Sequence, residues 1–220
     1  MALFITFEGI EGSGKSTQIH LLGRHLEGCG YRVLITREPG GCAIADAIRA
    51  ILLDSGNRAL RPRAELLLYA AARAQHVEEV IRPALAAGTL VLCDRFADAT
   101  TAYQGGGRRL DAGLVAQLNA IAGAGLTPDL TLLLDCPIEL GLPRARRRNE
   151  ARPQRDEGRF EMEQLDFHQR VRAAYLALAA CETRFRVIDA TGPADQVAGR
   201  VTAAVEAFLP GRAPSLRTSV

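Results

Sequence analysis

The chain has 220 residues, 48% of them hydrophobic, and a net charge of +2. That is ample apolar material for a single large domain, expected over residues 1–209. The near-neutral balance gives no general case for nucleic-acid binding, and no apolar run approaches the roughly 18 residues of a membrane span.

In chain order, Ala2-Leu3-Phe4-Ile5-Thr6-Phe7 is a short apolar run that predicts a strand. Gly9-Ile10-Glu11-Gly12-Ser13-Gly14-Lys15-Ser16 follows and fits G-x-x-x-x-G-K-[ST]. Glycines let successive backbone N–H groups curl around an anion. Lys15 adds a point charge for phosphates, and Ser16 offers a hydroxyl to Mg²⁺. The next stretch, 16–28, predicts a helix with Ile19, Leu22 and Leu26 on one face, and its N-terminus adds a favourable dipole. Strand, loop and helix together point to a bound nucleoside triphosphate.

Further strands are predicted at Tyr31–Thr36, Leu90–Cys93, Leu130–Leu134 and Phe185–Ile188. Helices are predicted over 43–54, 63–87, 111–123, 137–149, 160–181 and 194–208. Alternation of buried-type strands with helices implies an α/β fold with right-handed crossovers. In such sheets ligands sit beyond the carboxyl ends of the strands. The residues there are Glu8, Thr36-Arg37-Glu38-Pro39-Gly40-Gly41, Asp94-Arg95-Phe96 and Asp135. Charged groups at several strand ends suggest one shared site, although Asp135 could equally cap a helix.

Asp94 ends an apolar strand, where a carboxylate can hold Mg²⁺ directly or through water. Arg95 beside it presents a planar fork suited to a phosphate. Between Arg144 and Arg159 the chain carries Arg144, Arg146, Arg147, Arg148, Arg152, Arg155 and Arg159. Residues 149–158 lack apolar periodicity and include Pro153 and Gly158, so a mobile lid (about 144–159) is expected. The alternatives are a solvated basic face or a nucleic-acid contact, and no aromatics interleave the arginines as single-strand binding would need.

Four motifs in matching order, Phe7-Glu8-Gly9 through Ser16-Thr17, Thr36-Arg37-Glu38-Pro39-Gly40-Gly41, Asp94-Arg95-Phe96 and Ala102-Tyr103-Gln104-Gly105-Gly106-Gly107, resemble the bacterial thymidylate kinases. The resemblance spans about residues 3 to 208. It implies a P-loop three-layer α/β/α sandwich with a five-stranded parallel sheet. It implies transfer of the ATP γ-phosphoryl group to dTMP, giving dTDP for dTTP synthesis, with Mg²⁺ as cofactor. Carried over by position, Gly9, Ile10, Glu11, Gly12, Ser13, Gly14, Lys15, Ser16 and Thr17 bind ATP. Glu11, Arg37, Tyr69, Arg73, Arg95, Thr100, Thr101, Tyr103 and Gln104 bind dTMP. Ser16, Asp94 and Asp166 are the metal-side residues. Lys15, Arg95, Glu11, Arg146, Arg147, Arg152 and Arg155 are the catalytic candidates, the lid supplying charge because Gly12 replaces the loop arginine of some relatives. Members of the family are typically homodimers.

Tyr69 and Arg73 lie four residues apart, on one helix face, although Tyr69 could equally be core. Other acceptors, or a nucleotide-dependent switch with no transfer, are the competing functions. His20, His25, His76 and His168 show no catalytic spacing and are expected on helix surfaces. Five scattered cysteines argue against a disulfide framework or zinc site and are expected mostly as buried thiols. With no leader expected, the protein is placed in the cytoplasm, free of membrane and nucleic acid. Residues 210–220 are expected to be a frayed tail.

Overall fold

The computed structural model describes residues 2–151 and 158–209. Arg152, Arg155 and the tail lie outside the described residues. Strands β1 (Leu3–Glu8), β2 (Val33–Arg37), β3 (Leu90–Asp94), β4 (Leu130–Asp135) and β5 (Phe185–Asp189) form one parallel sheet, ordered β2-β3-β1-β4-β5. Helices α1 (Lys15–Gly28), α2 (Ala43–Leu53) and α3 (Pro62–His76) come first; α3 runs through a wider turn, Val77–Ile81, into α4 (Arg82–Ala86). Then come α5 (Ala97–Thr100), α6 (Ala112–Gly123), α7 (Ile138–Glu150), α8 (Leu165–Cys181) and α9 (Ala194–Phe208). The chain thus has the expected P-loop-type α/β/α architecture, with two local corrections. Residues 97–107 are helical throughout, closing in a π-type turn in which Arg108 N–H donates to Tyr103 O at 2.8 Å. The helix expected from 160 begins at Leu165.

The sheet is buried on both faces, which is why β1, β3 and β4 read as unbroken apolar runs. Strand alternation sends Leu3, Ile5 and Phe7 to one side. There they pack with Ile19, Leu22 and Leu26 of α1 and Val197, Val201 and Val205 of α9. Phe4 faces the other side with Val91, Cys93, Val77 and Ile81. Glu8 shares that second side with α8. Phe7 and Arg37 both pair in register with Asp94, so β1, β2 and β3 end level. The chain reverses its direction of winding around β1, and the crevice at that point receives the phosphate loop, Asp94 and Arg95.

Of the cysteines, Cys93 and Cys136 are buried and Cys42 is half-buried. Cys29 and Cys181 are exposed, so most are not buried thiols.

Candidate active site

A cleft of about 790 Å³ opens at the carboxyl ends of β1, β2 and β3. Its floor is the phosphate loop. Lys15, at the first turn of α1, folds back so that Nζ donates to Gly9 O at 2.9 Å and Ile10 O at 2.8 Å. Burial, then the nearby Arg95 charge, lowers the ammonium to about 8, despite Asp94, Glu11 and Glu8. Ser16 Oγ donates to Asp94 Oδ2 at 2.7 Å, joining loop and β3.

Gly12 has φ +70°, and a Cβ there would overlap the carbonyl oxygen of Gly141 in α7. A Cβ on Gly141 would in turn stand 2.6 Å from Glu11 O. Loop and α7 therefore touch backbone to backbone. Gly12 is thus a packing requirement.

Arg95 is the hub of a polar cluster across from the loop. Nη1 donates to the Tyr175 hydroxyl at 3.0 Å; Nη2 donates to the Tyr103 hydroxyl at 3.0 Å and to Glu11 Oε1 at 3.2 Å. Its carbon lies 4.7 Å from the centre of the Tyr103 ring. The Tyr103 hydroxyl also donates to Glu11 Oε1. Burial works to raise the Glu11 carboxyl, but His168, Arg95, Lys15 and Tyr103 outweigh it and hold it at about 2. Behind Arg95, Glu8 Oε2 accepts from the Tyr175 hydroxyl at 2.7 Å, and Oε1 from Phe96 N–H at 2.7 Å. Burial, and next the Asp98 carboxylate, push Glu8 up to about 8.

On α3, Tyr69 and Arg73 do share the face that borders the cleft. Arg73 is 2% exposed. It donates to Glu38 Oε2, Asn119 Oδ1, Phe96 O and Thr100 Oγ1, which uses four of the five guanidinium N–H groups. Tyr69 is half-buried, its ring 6.5 Å from that of Phe160. Thr100, Tyr103, Gln104 and Arg37 also line the cleft. Thr101 does not: its hydroxyl donates to Ala97 O and accepts from Asn119. Asp166 is separate too, more than half exposed and paired with Arg170 at 2.6 Å on the same helix.

The arginines expected on the lid divide by position. Arg144 and Arg148 border the cleft, with Asn149, Phe160 and Glu161. Arg146 instead donates to Glu161 O, and Arg147 does not line the cleft. The signal was in the helix period. Ile138, Leu142 and Ala145 of α7 are buried, and Arg144 and Arg148, four apart, share one flank. Arg159 is anchored rather than free, its Nη1 on Glu65 Oε2 at 2.7 Å.

His76 and His168 are buried, not surface residues. His76 bonds Thr36 and Glu38. Both were readable from period: His76 follows Arg73 by three, and His168, Val171 and Tyr175 make an i, i+3, i+7 stripe.

The profile of the thymidylate kinase family matches residues 7–201. The chain belongs to that family. A thymidylate kinase of Trichlorobacter lovleyi is 60% identical over 204 residues, covering 92% of this chain and 96% of that protein. One from Geotalea daltonii is 59% identical over 213 residues, covering 96% and 100%. The crystal structure of thymidylate kinase from Ehrlichia chaffeensis superposes with a TM-score of 0.75 at 31% identity, covering 93% and 98%. This thymidylate kinase family member is thus a phosphotransferase, and the cleft holds the residue types its chemistry needs.

Proposed function

We propose that this kinase transfers the ATP γ-phosphoryl group to dTMP through the cleft just described, Lys15 and Arg95 serving opposite ends of the transfer. The observation that supports this is a phosphate loop with Lys15 and two further cations, Arg95 and Arg37, lining one crevice. The loop suits the triphosphate, and the Arg95 fork suits a second phosphate.

ATP phosphates take the N–H groups of residues 9–17 and the Lys15 ammonium. Lys15 exchanges the carbonyls of Gly9 and Ile10 for phosphate oxygens. Ser16 and Asp94 supply hard oxygen donors in contact, which fits Mg²⁺ completed by phosphate and water oxygens. Bound there, Mg²⁺ would neutralise charge on the β- and γ-phosphates. On the acceptor side Arg95 receives the dTMP phosphate. Tyr69 offers a ring face for the base, Arg73 its remaining N–H for the base edge, and Thr100 and Gln104 polar wall. Tyr103 closes the cleft beside the sugar, and Glu11 faces the same nucleotide. The acceptor phosphate is already an anion, so alignment and charge neutralisation carry the reaction and no phosphoenzyme is needed. Arg144 and Arg148 are the described arginines best placed to reach the moving phosphoryl group. Arg152 and Arg155 are the further lid candidates.

We also propose a homodimer in the cytoplasm, where both substrates are available. Neighbouring helices α2, α3 and α6 leave Ile44, Ile51, Leu67 and Ile121 exposed, a surface a second copy would cover. Among the described residues no helix is long and apolar enough to cross a membrane.

A coupled ADP-release assay across dTMP, dUMP, dCMP, dGMP, AMP and thymidine tests the acceptor. Preference for dTMP is expected; preference for thymidine, or release independent of acceptor, would overturn the reading.

A further inference from the structure

His168 sits in the second half-turn of α8, the helix that follows the lid, and is 1% exposed. Its neighbours on the buried stripe are Phe167, Val171 and Tyr175, and the Phe167 ring meets it edge-on at 5.5 Å. An apolar side chain would suit that packing. A buried imidazole is costly without a polar partner.

The partner within reach is the phosphate loop. His168 Nδ1 lies 3.5 Å from Glu11 Oε2. Among the described residues, Glu11 Oε2 and His168 Nε2 are both buried side-chain atoms with no hydrogen bond. Glu11 Oε1, in contrast, is shared by Arg95 Nη2 and the Tyr103 hydroxyl. A carboxylate fixed through one oxygen can still swing about its last torsion, which is soft. Lys15 does not restrain the second oxygen, because its ammonium is turned to Gly9 O, Ile10 O and Ser13 Oγ. The Glu11 backbone is fixed separately, by Gly141 of α7 against its carbonyl. The side chain needs its own restraint, and His168 is at the open oxygen.

We infer that His168 is a positioning residue for the acceptor, its Nδ1–H closing on Glu11 Oε2 and holding the carboxylate in the orientation that Arg95 and Tyr103 share. One N–H at Nδ1 is sufficient, so either charge state of the ring serves. Apo contacts of this kind commonly tighten when substrate binds, and a closure of about half an ångström makes a normal bond. The inference rests on the acceptor-side role of Glu11 proposed above. Loss of the contact weakens the dTMP site while leaving the ATP loop intact.

Steady-state kinetics on the full chain test this, with a thermal melt for each variant. His168→Leu should raise KM for dTMP about tenfold, the scale of one buried hydrogen bond to a charge, with KM for ATP within about twofold. His168→Asn places an amide N–H where Nδ1 stands and should recover most of the loss. His168→Gln places it where Nε2 stands and should not. In a Glu11→Gln background, His168→Leu should add less than about twofold. The inference fails if His168→Leu leaves both KM values unchanged, if Asn is no better than Gln, or if the two effects multiply. Should His168→Leu not fold, the Asn and Gln pair carries the test. An unchanged KM for dTMP in Glu11→Gln alone would remove the acceptor role of Glu11, and the proposal for His168 with it.

Discussion

Lys15 and Glu8 illustrate how burial sets charge around this crevice. Both lie in or beside the loop, and desolvation is the largest cause of shift for each. In the proposed reaction ATP takes the protonated ammonium of Lys15, and burial lowers that ammonium to about 8 in the free enzyme. KM for ATP should therefore rise as pH climbs from 7.5 to 9.5, measured at saturating dTMP; a flat profile would show that Lys15 stays charged throughout. Glu8 has the opposite sense for stability. Its carboxyl is raised to about 8 in the fold against an ordinary 4.5, so the native state holds an extra proton between those values. Its contribution is complete below pH 4.5 and is lost as pH rises through 8. Without nucleotide, wild-type Tm minus Glu8→Gln Tm should fall between pH 5 and 8, by about 3 °C per kcal/mol lost. A difference that stays constant, or grows with pH, would contradict a protonated Glu8.

Among the elements, α7 is coupled most tightly to the loop. The Gly12–Gly141 contact brings backbone against backbone, leaving no flexible side chain to yield. Alanine within a helix ordinarily stabilises relative to glycine by about 1 kcal/mol. Here the sign should reverse. Gly141→Ala should cost about 1–3 kcal/mol, read in a denaturant melt, and should raise KM for ATP, since the Glu11 carbonyl must shift. A more stable variant with normal kinetics would mean that α7 is free to slide. Beyond residues 152–157, Arg159 is buried against Glu65 of α3 and bonded to Leu52 O. The described segments on either side of residues 152–157 are thus fixed to different parts of the fold, α7 to the loop and Arg159 to the α2–α3 pair.

At the level of the whole molecule, the exposed apolar side chains of α2, α3 and α6 make a prediction about assembly. Leu67→Glu places a charge at a site 50% exposed in the single chain, so the fold should survive while the dimer does not. Light scattering should report a monomer with an unchanged far-UV spectrum; a wild-type chain that is already monomeric would remove the proposal. The sequence made the architecture readable because strands buried on both faces leave continuous apolar runs, as β1, β3 and β4 do. Two cleft residues at strand ends were readable as charges that close apolar runs, Asp94 at the end of β3 and Arg37 at the end of the half-buried β2. The turn at 101–107 was hidden, because Gln104-Gly105-Gly106-Gly107 has loop composition and its helical form depends on packing against α8. Pairings such as Glu8 with Tyr175, 167 residues apart, leave no local trace. Which arginines of α7 border the cleft depends on helix phase, so Arg144 and Arg148 face it and Arg146 and Arg147 do not.

The meeting of Gly12 with Gly141 also limits how this enzyme can change over time. An arginine at residue 12 would require the α7 backbone at Gly141 to move away, and φ +70° at residue 12 penalises any side chain there. No single substitution satisfies both demands. The division of charge between loop and α7 proposed for this chain is in that sense an inherited commitment, enforced by the meeting of two glycine backbones.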